Sequence, residues 1–245
     1  MKKRGQVTIF IILAIIIVAG ILSFFYWKSP ETFTSKGARL GFEGCVQDAL
    51  EDSISRLEKT SGFIDPPFFY RYNDQKLQYL CYSGEYYKTC TVQVPFPEKY
   101  FEDQLKIDLR DEVDQCYSES VEDLKSQGYD VKEGVVTYEV TLEQGEARMK
   151  IQAPTTVGTQ SFARFNVGVK TPIYEMLMIA TSILQYESTL GDSDTDALYQ
   201  LYPDYIITKE KMGDGTTVYI IESKLYGNKY QFASRSLAWP PGYDI

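Results

Sequence analysis

The sequence predicts an α+β protein: a long N-terminal hydrophobic helix followed by an exported, disulfide-bonded domain of amphipathic helices and antiparallel sheets. Three observations support this prediction. Residues 7–27, VTIFIILAIIIVAGILSFFYW, contain no charged side chain. After residue 37, segments with apolar residues three and four positions apart alternate with segments of strict in–out alternation, the patterns of helices and strands. All four cysteines follow the apolar run.

The apolar run has the length of a membrane span, because a helix of residues 7–27 extends roughly 30 Å, the thickness of a hydrocarbon core. Lys2, Lys3 and Arg4 precede it, so the positive-inside tendency places the N-terminus in the cytoplasm and the rest outside. We therefore expect a single-pass protein of the cell membrane, or an extracellular filament, with membrane lipid as a partner. The predicted segments are a basic cytoplasmic region at 1–6, a transmembrane or filament-core helix at 7–27 and a linker at 28–37.

The next part, 38–170, is predicted to be an exported α+β domain. Its first helix has apolar residues at Phe42, Val46, Leu50, Ile54 and Leu57, a helical spacing. The other predicted elements of this part are strands at Phe68–Tyr72, Leu77–Tyr82 and Tyr87–Val94, one helix over Glu98–Ser126, a hairpin of Val135–Leu142 with Ala147–Ala153, and a strand at Ser161–Val169.

The last part, 171–245, is predicted to hold a helix and antiparallel strands, packed on the first domain or separate from it. Its helix, from Pro172 to Leu190, is apolar nearly all round. Such a helix is either central in a core or part of a subunit interface. The remaining predicted elements are a short helix at Asp192–Tyr202 and strands at Tyr205–Thr208, Thr217–Glu222 and Tyr230–Ser234.

The cysteines predict two disulfides, since an even number in an exported chain is typical of an oxidising compartment. Cys81 and Cys90 flank a predicted turn between two strands, and Cys45 and Cys116 each lie on the apolar face of a predicted helix. We therefore favour the pairs Cys81–Cys90 and Cys45–Cys116. A zinc site is disfavoured because the chain contains no CxxC pair and no histidine.

The residue inventory does not point to an enzyme or to a cofactor. Without histidine, every catalytic scheme that needs imidazole is excluded, and no GxSxG, P-loop or GxGxxG motif is present. The net charge of −9 argues against a nucleic-acid partner, because basic groups supply most of that affinity. The 20 tyrosines and 13 phenylalanines suit either stacking on sugars or protein surfaces, or ordinary packing in a sheet.

One acidic pattern has two interpretations. Asp192, Asp194 and Asp196 have the spacing that opens an EF-hand loop, but Ala197 and Pro203 stand where that loop needs Gly and Glu. The pattern is thus either an acidic loop that caps the helix beginning near Ala197, or a calcium site of another kind.

The N-terminus resembles a known family through KRGQVTIFI and the apolar run behind it. It looks like the class III signal of archaeal type IV pilin-like proteins, in which basic residues precede a Gly and a Gln follows it. The resemblance implies that a prepilin peptidase cleaves the bond between Gly5 and Gln6, and that the apolar helix builds a filament core. Phe10 departs from the family, since many pilins carry Glu at this position to neutralise a neighbour's amino terminus.

The rest of the chain resembles uncharacterised single-pass exported proteins of small-genome archaea, which bring no known activity. The shared features are the KRGQVT start, a helix led by Cys45, aromatic strands such as Phe68–Tyr72, and a second helix with Cys116 before a hairpin. Two functions follow as hypotheses. The chain is a cell-surface structural protein, a pilin-like subunit or appendage component that self-associates or binds other surface proteins through an adhesive or packing domain. Alternatively, it is a membrane-anchored ectodomain that binds an extracellular ligand or partner protein.

Overall fold

A computed structural model describes residues 17–19 and 35–239, with side chains from residue 41 in the second range. Residues Ala38–Ile245 form one compact unit, distinct from Met1–Gly37. The helices of the described range 35–239 are α1 (Ser35–Glu58), α2 (Pro97–Asp108), α3 (Arg110–Ser126), α4 (Ile173–Leu190) and α5 (Thr195–Leu201). The strands are β1 (Phe69–Tyr72), β2 (Gln75–Tyr82), β3 (Thr91–Val92), β4 (Val131–Glu133), β5 (Thr137–Glu143), β6 (Glu146–Val157), β7 (Gln160–Lys170), β8 (Tyr205–Lys211), β9 (Thr217–Ser223) and β10 (Lys229–Arg235).

The first sheet, sheet I, has the strand order β1-β2-β10-β9-β8, with β3 paired to β2. Sheet I is mixed, because β10 runs parallel to β2 while all other strand pairs of this sheet are antiparallel. The prediction of antiparallel sheets alone is therefore wrong for sheet I. A hairpin can be predicted from a short turn between two segments with strand patterns. A parallel pair joins segments that are far apart in the chain, so no such local pattern indicates it.

The second sheet, sheet II, is built on β6, which pairs with β4 and β5 along one side and with β7 along the other. The predicted hairpin is confirmed, with Glu143 opposite Glu146 and Gly145 in the turn at φ 74°. Along β6, Met149 and Ile151 are buried while Lys150 and Gln152 are exposed. One face of sheet II therefore belongs to the core and the other is a polar surface.

Helix α4 is the centre of the core. It contacts strands of both sheets, and its apolar residues Met176, Leu177, Ile179, Ala180 and Ile183 have no exposed surface. The nearly all-round apolar pattern is thus explained by burial inside the domain. Gly191 ends the helix as predicted, with the left-handed φ of 85° that favours glycine.

Helix α1 uses the predicted face, because Phe42, Val46, Leu50, Ile54 and Leu57 are all buried. The prediction of one helix over Glu98–Ser126 is wrong in detail, since the helix is divided at Leu109 into α2 and α3. The Leu109 amide still donates to the Leu105 carbonyl oxygen. The apolar repeat continues across this point, so periodicity alone cannot detect the break.

Both predicted disulfides are confirmed. Cys45 of α1 is bonded to Cys116 of α3, and Cys81 of β2 is bonded to Cys90 just before β3, with Cα–Cα distances of 5.8 and 5.4 Å. The first links two helices 71 residues apart in sequence, and the second closes a nine-residue separation. The first disulfide therefore restrains the packing of two helices, and the second restrains a local loop.

The predicted fold class is corrected at the N-terminus, because within the described residues there is no long apolar N-terminal helix. None of the helices described in 17–19 and 35–239 has the length and apolar composition to cross a membrane. The longest, α1, contains charged residues such as Glu51, Asp52 and Arg56, and α4 carries Glu175 and Glu187. Of the predicted helix 7–27, residues 17–19 are described and are helical. Its other residues and the Gly5–Gln6 bond lie outside the described residues.

Candidate ligand-binding cavity

A cavity of about 430 Å³ opens at the C-terminal end of α1. Its walls come from that helix end, from the start of β2 and from the β9–β10 turn. This volume lies in the range of small-molecule sites in proteins, roughly 300–1,000 Å³. The side chains that matter most for its chemistry are Glu58, Lys59, Gln75, Tyr226, Asn228 and Gln231.

The helix end that carries Glu58 is held by two strands of sheet I. The amide of Gln78 donates to the Ser61 hydroxyl at 2.9 Å, and the Tyr230 hydroxyl donates to the Ser61 carbonyl oxygen at 3.0 Å. Ser61 and Gly62 both have positive φ, 62° and 83°, which turns the chain sharply out of the helix. The last turn of α1 is therefore fixed in position relative to β2 and β10.

The opposite wall is fixed by Ser223, which makes three hydrogen bonds within the β9–β10 turn. Its amide donates to the Asn228 carbonyl oxygen, its carbonyl oxygen accepts from the Gly227 amide, and its hydroxyl accepts from the Tyr226 amide, at 3.0, 2.8 and 3.3 Å. Gly227 has φ 72°, a conformation that side chains rarely adopt. The turn thus presents Tyr226 and Asn228 on a rigid frame.

Glu58 is a buried carboxyl group in the cavity wall, 4% exposed. The Asn228 side-chain amide nitrogen lies 3.0 Å from each of its two oxygens and donates to them. Burial raises the pKa of Glu58 to about 7, although the hydrogen bond from Asn228 and the charge of Lys59 act in the opposite direction. At neutral pH this group therefore exchanges between an acceptor-only carboxylate and a carboxylic acid that also donates.

Amide side chains line the side of the cavity that belongs to sheet I. The Gln231 amide nitrogen donates to the Gln75 side-chain oxygen at 3.4 Å, which links β10 to the first residue of β2. Lys229, at the rim, is paired with Glu222 at 3.0 Å. The lining thus combines donors and acceptors with little net charge.

A second polar cluster, the Glu187 network, lies inside the core. Tyr219 and Ser234 donate to the two oxygens of Glu187, and the Ser193 hydroxyl donates to the Tyr219 hydroxyl at 2.8 Å. All four residues are at most 2% exposed. A substrate has no access to these side chains, so we assign the network to the stability of the fold.

The acidic pattern in the α4–α5 connection does not assemble around one point. Asp192 is paired with Lys209 and Lys211 at 2.6 and 3.0 Å. Asp194 accepts from the amides of Asp196 and Ala197 and so caps α5, as the first interpretation expects. Across the described ranges 17–19 and 35–239, no group of three or more acidic or cysteine side chains is placed to hold a metal ion.

Most of the aromatic strand residues serve packing. Phe68 lies 4.8 Å from Tyr79 and 4.7 Å from Tyr82 between ring centroids, on the face of sheet I that points away from α4. Tyr86 and Tyr87, in the loop closed by Cys81 and Cys90, are exposed.

The cavity could not be predicted from the sequence. Residues 226–228 are identifiable as a turn, but nothing in the pattern singles out Asn228 as a partner of Glu58. The two are 170 positions apart. A weak signal exists in Glu58 itself, which immediately follows the buried Leu57 and is the last residue of α1.

Comparisons with known proteins identify no relative. No protein-family model, curated protein or solved structure matches the chain.

Proposed function

We propose that the chain is a cell-surface binding protein whose exported domain recognises a small polar ligand in the cavity beside Glu58. The observation that carries the proposal is the cavity itself, where a buried carboxyl group and amide side chains stand on two rigidly held chain segments. Pre-formed concave sites with a few fixed polar groups are typical of ligand binding.

Two further observations support an extracellular binding role. Both disulfides favour an oxidising compartment. The whole chain lacks histidine, the commonest general acid–base residue of enzymes. The apolar run at 7–27 agrees with attachment to the cell membrane. The filament hypothesis stays a prediction from the Gly5–Gln6 pattern, since most apolar residues of α4, the helix that offered a subunit contact, pack inside its own domain.

The test is ligand-dependent thermal stabilisation of the full chain in detergent. The panel contains neutral saccharides, amino acids, inorganic phosphate and polyamines. We expect one class to raise the melting temperature of the wild type, and Asn228→Ala and Gln231→Ala to lose most of that shift.

Matched controls are available on sheet II. Asn166→Ala and Gln152→Ala remove the same kinds of side chain from its exposed face and are expected to retain the full shift. The proposal fails if no compound stabilises the wild type, or if the control variants lose the shift as completely as the cavity variants.

A further inference from the structure

We infer that the cavity beside Glu58 accepts a neutral, polyhydroxylated ligand, one or more units of a sugar, held by Glu58, Asn228 and the two glutamines and covered by the ring of Tyr226. This inference rests on the proposed function and names the ligand class of the same site.

The first argument is the kind of polar group in the wall. A carboxylate accepts through two oxygens, and a side-chain amide both donates and accepts from one planar group. Glu58, Gln75, Asn228 and Gln231 therefore supply both donors and acceptors to the wall as planar groups. Adjacent hydroxyl groups of a sugar ring each donate and accept, so they can satisfy such a set without leaving a buried group unpaired.

The second argument is charge. Glu58 is followed directly by Lys59, and Lys229 is paired with Glu222. With Glu222 counted, two ammonium groups stand beside two carboxyl groups, so an ionised Glu58 leaves no surplus of either charge for a charged ligand. A neutral ligand is taken from water at the least cost in such surroundings, because burying an unpaired charge is expensive.

The protonation behaviour of Glu58 agrees with this ligand class. A hydroxyl group can donate to the carboxylate and can accept from the carboxylic acid, so it fits both forms of the group. An ammonium group fits the ionised form alone, because it has no acceptor.

The third argument is the aromatic ring at the rim. Tyr226 is 45% exposed, although its backbone is fixed by the Ser223 hydroxyl. A tyrosine ring in the lining of a polar cavity offers an apolar face beside hydrogen-bonding groups, and a sugar has both kinds of surface. A volume of about 430 Å³ accommodates a ligand of this size.

The experiment titrates the full chain in detergent with neutral monosaccharides and oligosaccharides, inorganic phosphate and putrescine. We expect saturable binding of a neutral saccharide at both pH 5.5 and pH 8. Tyr226→Ala is expected to weaken it about five- to tenfold and Tyr226→Phe less than about threefold, because the ring supplies the contact. Tyr86→Ala, which removes another exposed tyrosine, is the matched control and is expected to bind as the wild type does.

Three results would overturn the inference. If phosphate or putrescine binds in a manner that Asn228→Ala abolishes while no neutral saccharide binds, the ligand class is wrong and the proposed function stands. If no compound binds here and none of the wider panel raises the melting temperature, both the inference and the proposed function fail. If a saccharide binds but Tyr226→Ala and Asn228→Ala leave its affinity unchanged, the sugar site lies elsewhere on the chain.

Discussion

Glu187 is the residue whose surroundings differ most from those of an ordinary surface carboxyl group. It lies in the last turn of α4, where the helix dipole disfavours a negative charge, and it is 1% exposed. Burial raises its pKa to about 7, and the hydrogen bonds from Tyr219 and Ser234 offset part of this effect. The protonated form is therefore the one that the folded core favours.

This residue gives the protein a predictable pH dependence. The pKa in the fold is raised above the unfolded value, so the stabilisation from Glu187 is complete below pH 4.5 and is lost as pH rises to about 7. The full difference is on the order of 3 kcal/mol. We expect Glu187→Gln, which is neutral at every pH, to reduce the decline of the unfolding free energy between pH 4.5 and pH 8. Denaturant titrations at several pH values measure the unfolding free energy of the two proteins.

The matched control for that measurement is Glu139→Gln, on the exposed face of β5. It is expected to leave the pH dependence unchanged. A Glu187→Gln variant with the same slope as the wild type would show that Glu187 ionises freely in the fold. Glu58, with its pKa also raised to about 7, contributes to the same slope, so Glu187→Gln is expected to reduce it and not to abolish it.

At the scale of elements, a bulge in strand β2 determines which of its side chains face the core. Its pairing with β10 shifts by one residue, so that Tyr79 is opposite Ala233 while Cys81 is opposite Ser234. The extra residue, Leu80, points into the main core together with Cys81. Tyr79 then packs on the outer face of sheet I. A single bulge thus brings the cysteine inward to meet Cys90.

The two disulfides are expected to differ in their contribution to stability, because they close loops of different length. In the chain-entropy account, the Cys45–Cys116 bond contributes roughly 4 kcal/mol and the Cys81–Cys90 bond roughly 3 kcal/mol. We expect the double variant Cys45→Ala/Cys116→Ala to have the lower melting temperature of the two double variants. Thermal unfolding followed by circular dichroism compares them, and the reverse order would contradict the entropic account.

The elements themselves could largely be predicted from the sequence, whereas their long-range pairing could not. The buried face of α1 and the β5–β6 hairpin follow from local periodicity. The disulfides follow from cysteines on apolar helix faces and on either side of a turn. The parallel pairing of β2 with β10 and the contact of Glu58 with Asn228 join residues that are far apart in the sequence. No local pattern carries that information, because these contacts depend on the packing of everything between them.

At the scale of the whole molecule, residues 38–245 form one unit with a single dominant core that includes α1, α4 and both sheets. We therefore expect a chain that begins at Ser35 to fold without the preceding residues. Thermal unfolding followed by near-ultraviolet circular dichroism is the measurement. We expect one cooperative transition and a spectrum from ordered aromatic residues. A broad transition without that spectrum would show that residues before Ser35 are needed for the packing of the core.

The link between Cys45 and Cys116 also has a mechanical consequence. A force that pulls on the chain from the N-terminal side reaches the domain first through α1. Unravelling of that helix can proceed to Cys45 and then meets a covalent stop, because the load passes through the sulfur atoms to α3. The rest of α1, including the turn with Glu58, is thereby shielded, and under tension the cavity stays intact until the core itself gives way.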